Sequence, residues 1–273
     1  MIKEKSTDRL DKGRILADLR SSMFSRNLIL REKMDSTNLF AKDLARHGAP
    51  EGTLVLAEEQ TAGRGRQERR WLSPAYVNLL FSILVRPSLP MDRAFVLTMI
   101  LAIAVIDSVK ALYGLDTLIK WPNDLYIGNR KLGGILTEFS AGEGGIDYVV
   151  LGLGLNVNWN PGEEGGLLHP ATSIRAESGA PVSRNELLVA ILKRFEYDYG
   201  RLSPAEMGEL YRRWNDLSMI MGREVDIHSR EEHIRGTVRR IDPTGALIIQ
   251  DAGGEERKIL SGDVSRWSGW DQA

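Results

Sequence analysis

No cysteine occurs among the 273 residues. Disulfide staples, thiolate metal sites and a cysteine nucleophile are therefore excluded, and a reducing compartment is compatible with the composition. Histidine is scarce as well: His47, His169, His228 and His233 are scattered without the paired-ligand spacing of a protein-built zinc site. The longest apolar stretches are interrupted short of a membrane span, and the charged start from Met1 to Arg20 has no apolar signal core. A soluble, cytoplasmic protein with no membrane partner is expected. A surplus of positive charge is also missing, since 36 Lys and Arg stand against 37 Asp and Glu. Recognition of an anion must then come from a local basic cluster. Neither a P-loop nor a Gly-x-Ser-x-Gly elbow occurs, which removes P-loop ATPases and the usual serine hydrolases.

The residues that are present organise into a large domain, 1–217, and a small one, 218–273. Leu10, Ile15, Leu16 and Leu19 lie near helical spacing, and Leu28 to Met34 reads as a strand. Asp35-Ser36-Thr37-Asn38 can cap a helix that runs to about Arg46. Thr53 to Glu59 and Asn78 to Val85 are strands on either side of a polar loop, Gln60 to Arg70. Arg93 to Leu112 is apolar around most of its circumference, which suits a core helix.

Strands follow over Leu118–Trp121, Leu125–Ile127, Leu132–Phe139 and Asp147–Asn158. Strands in succession favour a mixed, largely antiparallel sheet flanked by helices, an α+β fold, over repeating βαβ units. A surface loop over Asn160–Ser173 leads to helices at Arg184–Tyr199 and Pro204–Asp216. Beyond Ser218 come short β-like runs, Glu224–Ile227, His233–Ile241, Ala246–Gln250 and Arg257–Leu260. Turns at Asp242-Pro-Thr-Gly245 and Gly253-Gly254 separate them, as in a small β-barrel.

Four segments concentrate chemistry. Gly63 to Trp71 holds four arginines, two glycines and an indole. Glycine allows close backbone approach, arginine offers forked donors to an anion, and tryptophan offers a face for stacking. A solvated basic loop or an RNA-binding patch would have the same composition. Lys120-Trp-Pro-Asn123-Asp124 interrupts a pair of strands and presents a cation beside oxygen ligands of the kind that suit Mg²⁺ carried on a phosphate. A structural Asn-Asp turn fits that segment equally well. Lys131-Leu-Gly133-Gly134-Ile135 puts a lysine before a strand that lacks two successive side chains, which is explained by close approach of a ligand or by a tight hairpin. Gly152-Leu-Gly154-Leu-Asn156 ends an apolar strand; Val157 stands where a dinucleotide fingerprint needs its third glycine.

Taken in order, Asp35-Ser-Thr-Asn38, Gly63-Arg-Gly-Arg-Gln67, Lys120-Trp-Pro-Asn-Asp124, Lys131-Leu-Gly-Gly-Ile135 and Gly152-Leu-Gly-Leu-Asn156 resemble the biotin–protein ligase family. The resemblance runs from about Leu28 to the end and includes Val238, Gly245 and Ser261-Gly-Asp-Val264. It implies a catalytic domain related to class II aminoacyl-tRNA synthetases followed by an SH3-like barrel. It also implies an activity: biotin is activated with ATP as biotinyl-5'-AMP and transferred to a lysine of a biotin carboxyl carrier protein, of acetyl-CoA carboxylase or a related carboxylase.

The roles that the resemblance implies are these. Ser36, Thr37, Asn38 and Gln60 would line the biotin pocket, with Gly63, Arg64, Gly65 and Arg66 closing over biotin and the acyl phosphate. Lys131 would meet the biotin carboxylate and the α-phosphate, and Gly134, Gly152 and Gly154 would leave room. Arg66, Arg69, Trp71, Lys120, Asn123, Asp124, Lys131 and Asn156 would serve the nucleotide, with Mg²⁺ reached by Asp124 directly or through substrate phosphate. Arg66, Lys131 and Asp124 are the expected catalytic residues.

Family members that repress transcription carry a winged helix-turn-helix before the first catalytic strand. Only 27 residues precede Leu28, so a monofunctional enzyme without a DNA partner is expected, and a homodimer is left open. Lipoate–protein ligase, with the same scaffold and chemistry, is the nearest alternative, and an RNA-binding module is the alternative of another class.

Overall fold

Leu79–Val85 and Val149–Leu155 are, apart from Ser82, apolar on both of their alternating faces, or bare where glycine stands. This is the pattern of strands in the middle of a sheet that is covered on both sides. The computed structural model, which describes residues 8–72, 74–142, 145–161, 170–228 and 233–269, places them there. The large sheet consists of β1 (Leu28–Met34), β2 (Thr53–Gln60), β3 (Leu79–Val85), β4 (Leu118–Lys120), β5 (Asp124–Ile127), β6 (Arg130–Gly142) and β7 (Gly145–Leu155). Their spatial order is β1-β2-β3-β7-β6-β5-β4. Only β1 and β2 pair in parallel; every other neighbour is antiparallel. The mixed α+β sheet expected from successive strands is therefore present.

Six α-helices accompany it among the described residues: α1 (Lys12–Asp18), α2 (Thr37–Arg46), α3 (Phe95–Tyr113), α4 (Ile174–Ser178), α5 (Arg184–Tyr199) and α6 (Pro204–Asp216). Ser183 and Ser203 cap α5 and α6, and Ser203 with Glu206 forms a reciprocal capping box. The short α4 was not foreseen, and most of the loop read before it, 162–169, lies outside the described residues. Met91–Tyr113 is long and apolar enough by length and composition to cross a membrane, against the expectation that apolar stretches fall short. Thirteen residues of α3 are buried. They pack on the sheet and on α5 and α6, and that burial accounts for the composition.

Arg184, fully buried at the start of α5, pairs with Glu58 at 2.7 Å and with Asp8 at 3.2 Å. The Leu10 amide donates to the other oxygen of Glu58 at 2.7 Å. A buried guanidinium is tolerable only with such partners, so this network straps the N-terminal segment onto the domain.

A second sheet follows, with β8 (Glu224–His228), β9 (His233–Ile241), β10 (Leu247–Gln250), β11 (Glu256–Ile259) and β12 (Asp263–Trp267) in the order β11-β10-β9-β8-β12, antiparallel throughout. The fifth strand, β12, escaped the sequence reading. Val225, Ile227, Val238, Leu247, Val264 and Trp267 join the main core. Asn215 exchanges hydrogen bonds with the Ile241 backbone, and the Trp121 indole N–H donates to the Gly245 carbonyl at 2.9 Å.

Gly245 has φ +84°, and a Cβ there would sit 2.2 Å from the Phe95 ring. Gly245→Ala should destabilise the protein by about 2–4 kcal/mol through overpacking and left-handed strain. Gly48→Ala, with φ +82° but open space around it, should cost only about 1 kcal/mol. Denaturant melts of the two variants check the difference.

Candidate functional site

Side chains alternate along a strand, so one face of β3 and β7 can serve the core while the other serves a ligand. Phe81, Ile83, Leu151 and Leu153 belong to the core under α3. Leu84, Val150 and Val55, on the opposite face, are covered by Ala41 and Ala45 of α2. Further along that face the side chains shrink. Gly152 stands opposite Ser82 and Leu136, and Gly154 opposite Gly134. The three glycines and Leu136 floor a cavity of about 1070 Å³, with Ser82 buried behind them.

One end of the cavity is neutral and rich in hydrogen bonds. Ser36 occupies the N-cap position of α2, yet its side chain makes no capping bond. Gln60, at the end of β2, caps the helix instead: its Oε1 accepts from the Thr37 amide at 2.7 Å and lies 3.1 Å from the Thr37 hydroxyl. The expected hydroxyl or carboxylate cap is thus replaced, and Ser36 stays on the cavity wall. Asn38 lies over Gly152, where a Cβ would fall 1.9 Å from its Oδ1.

Charge gathers at the other end. The arginine loop is a closed turn in which Gly63 accepts from the Trp71 amide and the Gly65 amide donates to Arg69, with Arg64 and Arg70 bridged between them. Gln67, at φ 52°, makes the tight bend. Trp71 lies over Gly154, where a Cβ would come within 2.5 Å of the ring, and the Lys131 ammonium is 5.6 Å from the ring centre. Lys131 pairs with Asp124 at 2.7 Å. Asp124 stands opposite Gly134 in the ladder, and its Oδ1 would be 3.1 Å from a Cβ there. The side chain of Asn123 donates to the Ile135 carbonyl at 2.6 Å and that of Asn156 to the Thr172 carbonyl at 3.0 Å. These two amides brace the walls they line. Burial holds the Lys120 ammonium and the Arg66 guanidinium below their ordinary values, with Asp124 and Asp263 drawing both back up.

Seventeen of the expected residues, Ser36, Thr37, Asn38, Gln60, Arg64, Gly65, Arg66, Arg69, Trp71, Lys120, Asn123, Asp124, Lys131, Gly134, Gly152, Gly154 and Asn156, line this one cavity. Gly63 does not; it anchors the base of the loop through its carbonyl. The sequence reading missed Asp263, Ser265 and His228 from the second sheet. Asp263 pairs with Arg69 and lies 3.6 Å from Arg66, whose guanidinium also reaches the Gly262 carbonyl. The one available signal was the Ser261-Gly-Asp-Val264 segment, which taken alone reads as a surface turn. The arrangement joins a site for a small polar ligand to a cationic site for an anion.

The profile described as the biotin/lipoate A/B protein ligase family matches residues 30–156, and that of the biotin protein ligase C terminal domain matches residues 220–267. The class is that of ligases for the cofactors biotin and lipoate. A bifunctional ligase/repressor of Bacillus subtilis is 33% identical over 95% of this chain and 80% of its own length. A biotin–[acetyl-CoA-carboxylase] ligase of Paracoccus denitrificans is 30% identical over 82% of this chain and 94% of its own length. The crystal structure of the Aquifex aeolicus biotin protein ligase in complex with biotin and ATP superposes with a TM-score of 0.74, at 29% identity, covering 88% of this chain and 98% of that one. The chain belongs to the biotin protein ligase family.

Asp263→Asn should free the arginine loop in the absence of ligand. The partly exposed ion pairs are worth at most about 1 kcal/mol, so tryptic cleavage between Arg64 and Arg70 should accelerate by up to about fivefold. An unchanged cleavage rate would show that the loop is held by other contacts.

Proposed function

We propose that this protein forms biotinyl-5'-AMP from biotin and ATP and transfers the biotinyl group to a lysine of a biotin carboxyl carrier protein. The observation that carries the reading is the convergence of Arg66, Asp124 and Lys131 on the cavity that also holds Ser36, Thr37, Asn38 and Gln60. A carboxylate is a poor electrophile, and adenylation supplies it with a leaving group. In the first step a biotin carboxylate oxygen attacks the α-phosphorus of ATP and pyrophosphate leaves. Lys131 and Arg66 offset the charge that develops on the phosphate oxygens. In the second step the carrier amine attacks the acyl carbon and the bond to AMP breaks. The amine proton goes to Asp124 or to solvent. The arginine loop shields the reactive mixed anhydride from water.

Ser36, Thr37, Asn38, Gln60 and the Arg64–Arg66 turn are assigned to biotin; Arg69, Trp71, Lys120, Asn123, Asp124 and Asn156 are assigned to the nucleotide. Residues 1–217 would then hold both substrates and 218–273 would close the nucleotide end, with the reaction taking place in the cytoplasm. No group of three His, Cys, Asp or Glu able to hold a metal occurs among the described residues. Asp124 would then meet Mg²⁺ that arrives on the polyphosphate. When bound there, the ion would neutralise charge on the phosphate oxygens.

The C-terminal match favours biotin over lipoate. The RNA-binding alternative loses its main support, because Arg66 and Arg69 turn to Asp263 and Arg64 turns toward Glu138. Incubation with ATP, Mg²⁺, biotin and a carrier fragment should add one biotinyl group, read by mass spectrometry, and lipoate should add nothing. An unmodified carrier in all arms would overturn the proposal.

Lys120 supplies a pH signature. Its lowered value means that its charge is lost on the alkaline side earlier than that of an ordinary lysine. KM for ATP should therefore rise with alkaline pH, and Lys120→Arg, whose guanidinium stays charged, should flatten that rise. Steady-state kinetics across the alkaline range check this.

A further inference from the structure

Glu138 on β6 does not line the cavity, yet it touches both the neutral end, through Asn38, and the arginine loop, through Arg64. Its Oε2 accepts from Asn38 Nδ2 at 3.1 Å and its Oε1 from the Lys42 ammonium at 2.7 Å, while Arg64 Nη1 lies 3.9 Å from Oε1. Asn38 and Lys42 are one helical turn apart on α2, so the carboxylate fastens that face of the helix to the sheet. Asn38 Nδ2 also donates to the Leu136 carbonyl at 3.0 Å. On the other side, the Ser82 hydroxyl donates to Asn38 Oδ1 at 2.6 Å, which leaves that oxygen one further lone pair.

A carboxamide can be turned over by half a rotation, and which end faces a ligand depends on its neighbours. Here both neighbours of Nδ2 are obligate acceptors. A main-chain carbonyl has no proton to give, and neither has an ionised carboxylate. Burial works against the charge on Glu138, but the hydrogen bonds from Lys42 and Asn38 outweigh it and hold the carboxyl below the ordinary range. It is therefore an anion throughout the neutral range. Turning the amide over would set an oxygen against two oxygens and forfeit both bonds. The orientation is accordingly fixed, with both N–H groups spent inside the protein and Oδ1 above the bare backbone of Gly152 on the cavity wall.

We propose that Glu138 is a specificity-determining positioning residue: by taking one Asn38 N–H while the Leu136 carbonyl takes the other, it commits that amide to present its oxygen to the cavity, which selects ligands that offer an N–H there. The proposal rests on the biotin-ligase reading and deepens it, because the ureido ring of biotin carries such N–H donors whereas the dithiolane of lipoate has none. Glu138 acts through Asn38 and touches no substrate.

The test measures biotin binding calorimetrically alongside KM for ATP in the full-length protein. Glu138→Gln keeps the shape but replaces an obligate acceptor with a group that can itself donate, so of the two contacts that fix the amide only the one to the Leu136 carbonyl stays obligatory. It should weaken biotin binding by up to about tenfold, the scale of one lost neutral hydrogen bond, and leave KM for ATP within about twofold. In an Asn38→Ala background the same change should have no further effect. Lys42→Met, which removes the ion pair but keeps the Asn38 contact, should leave biotin affinity within about twofold. Unchanged affinity in Glu138→Gln, an equal loss for ATP, a full additional loss in the Asn38→Ala background, or a Lys42→Met defect as large as that of Glu138→Gln would each overturn the proposal. A parent protein without saturable biotin binding would instead overturn the functional reading beneath it.

Discussion

Strands β3, β7 and β6 must satisfy two environments at once, and most of the molecule follows from how they do so. On the α3 side they carry a continuous apolar surface; Leu79, Phe81, Ile83, Leu151, Leu153 and Leu155 are almost completely buried. On the α2 side the same strands run from Leu84 and Val150, under the helix, to Gly152 and Gly154, where no side chain fits, and to Gly134, where one would be tight. Glycine weakens a strand, and the burial on the opposite face supports the strands that carry it. The floor is rigid because its underside is core.

The charges above that floor are arranged by the same economy of space. Lys120 is 6% exposed, and it would be costly as an isolated cation. Asp124 and Asp263 approach from two different sheets and moderate the positive field without cancelling it. Arg66 and Arg69 meet Asp263 across the joint between the sheets, and Trp121 fastens that joint through Gly245. The segment from Lys120 to Asp124 therefore has both characters that its composition allowed: Trp121 is structural, and its neighbours face the cavity.

The legible parts of the site were those in which neighbours in sequence are neighbours in space. The Gly63–Trp71 turn closes on itself through its own backbone, and Lys131 precedes the glycines of its own strand, so local composition was informative. The contributions that went unread came from a distance. Gln60, not Asp35 or Ser36, caps α2, because the end of β2 runs beside that helix start. Asp263 belongs to a strand whose short, mixed sequence has little apolar signal of its own, and it is β8 pairing that makes it a strand. Glu138 looks like a solvent-side residue of an alternating strand until α2 is laid across it.

Chain chemistry alone therefore settled most of the order of helices and strands, α4 and β12 apart, the mixed sheet, the segments that carry charge and glycine, and the absence of thiol chemistry, since each depends on propensity, periodicity or composition within a few residues. The tertiary structure decided which face of each strand meets a ligand, that Gly63 anchors while Gly65 lines, that the second sheet lends a carboxylate to the first, and which way the Asn38 amide points. Those outcomes depend on contacts between residues scores of positions apart, as from Asn38 to Glu138 or from Arg69 to Asp263, and no local pattern encodes a partner that only the folded sheet brings near.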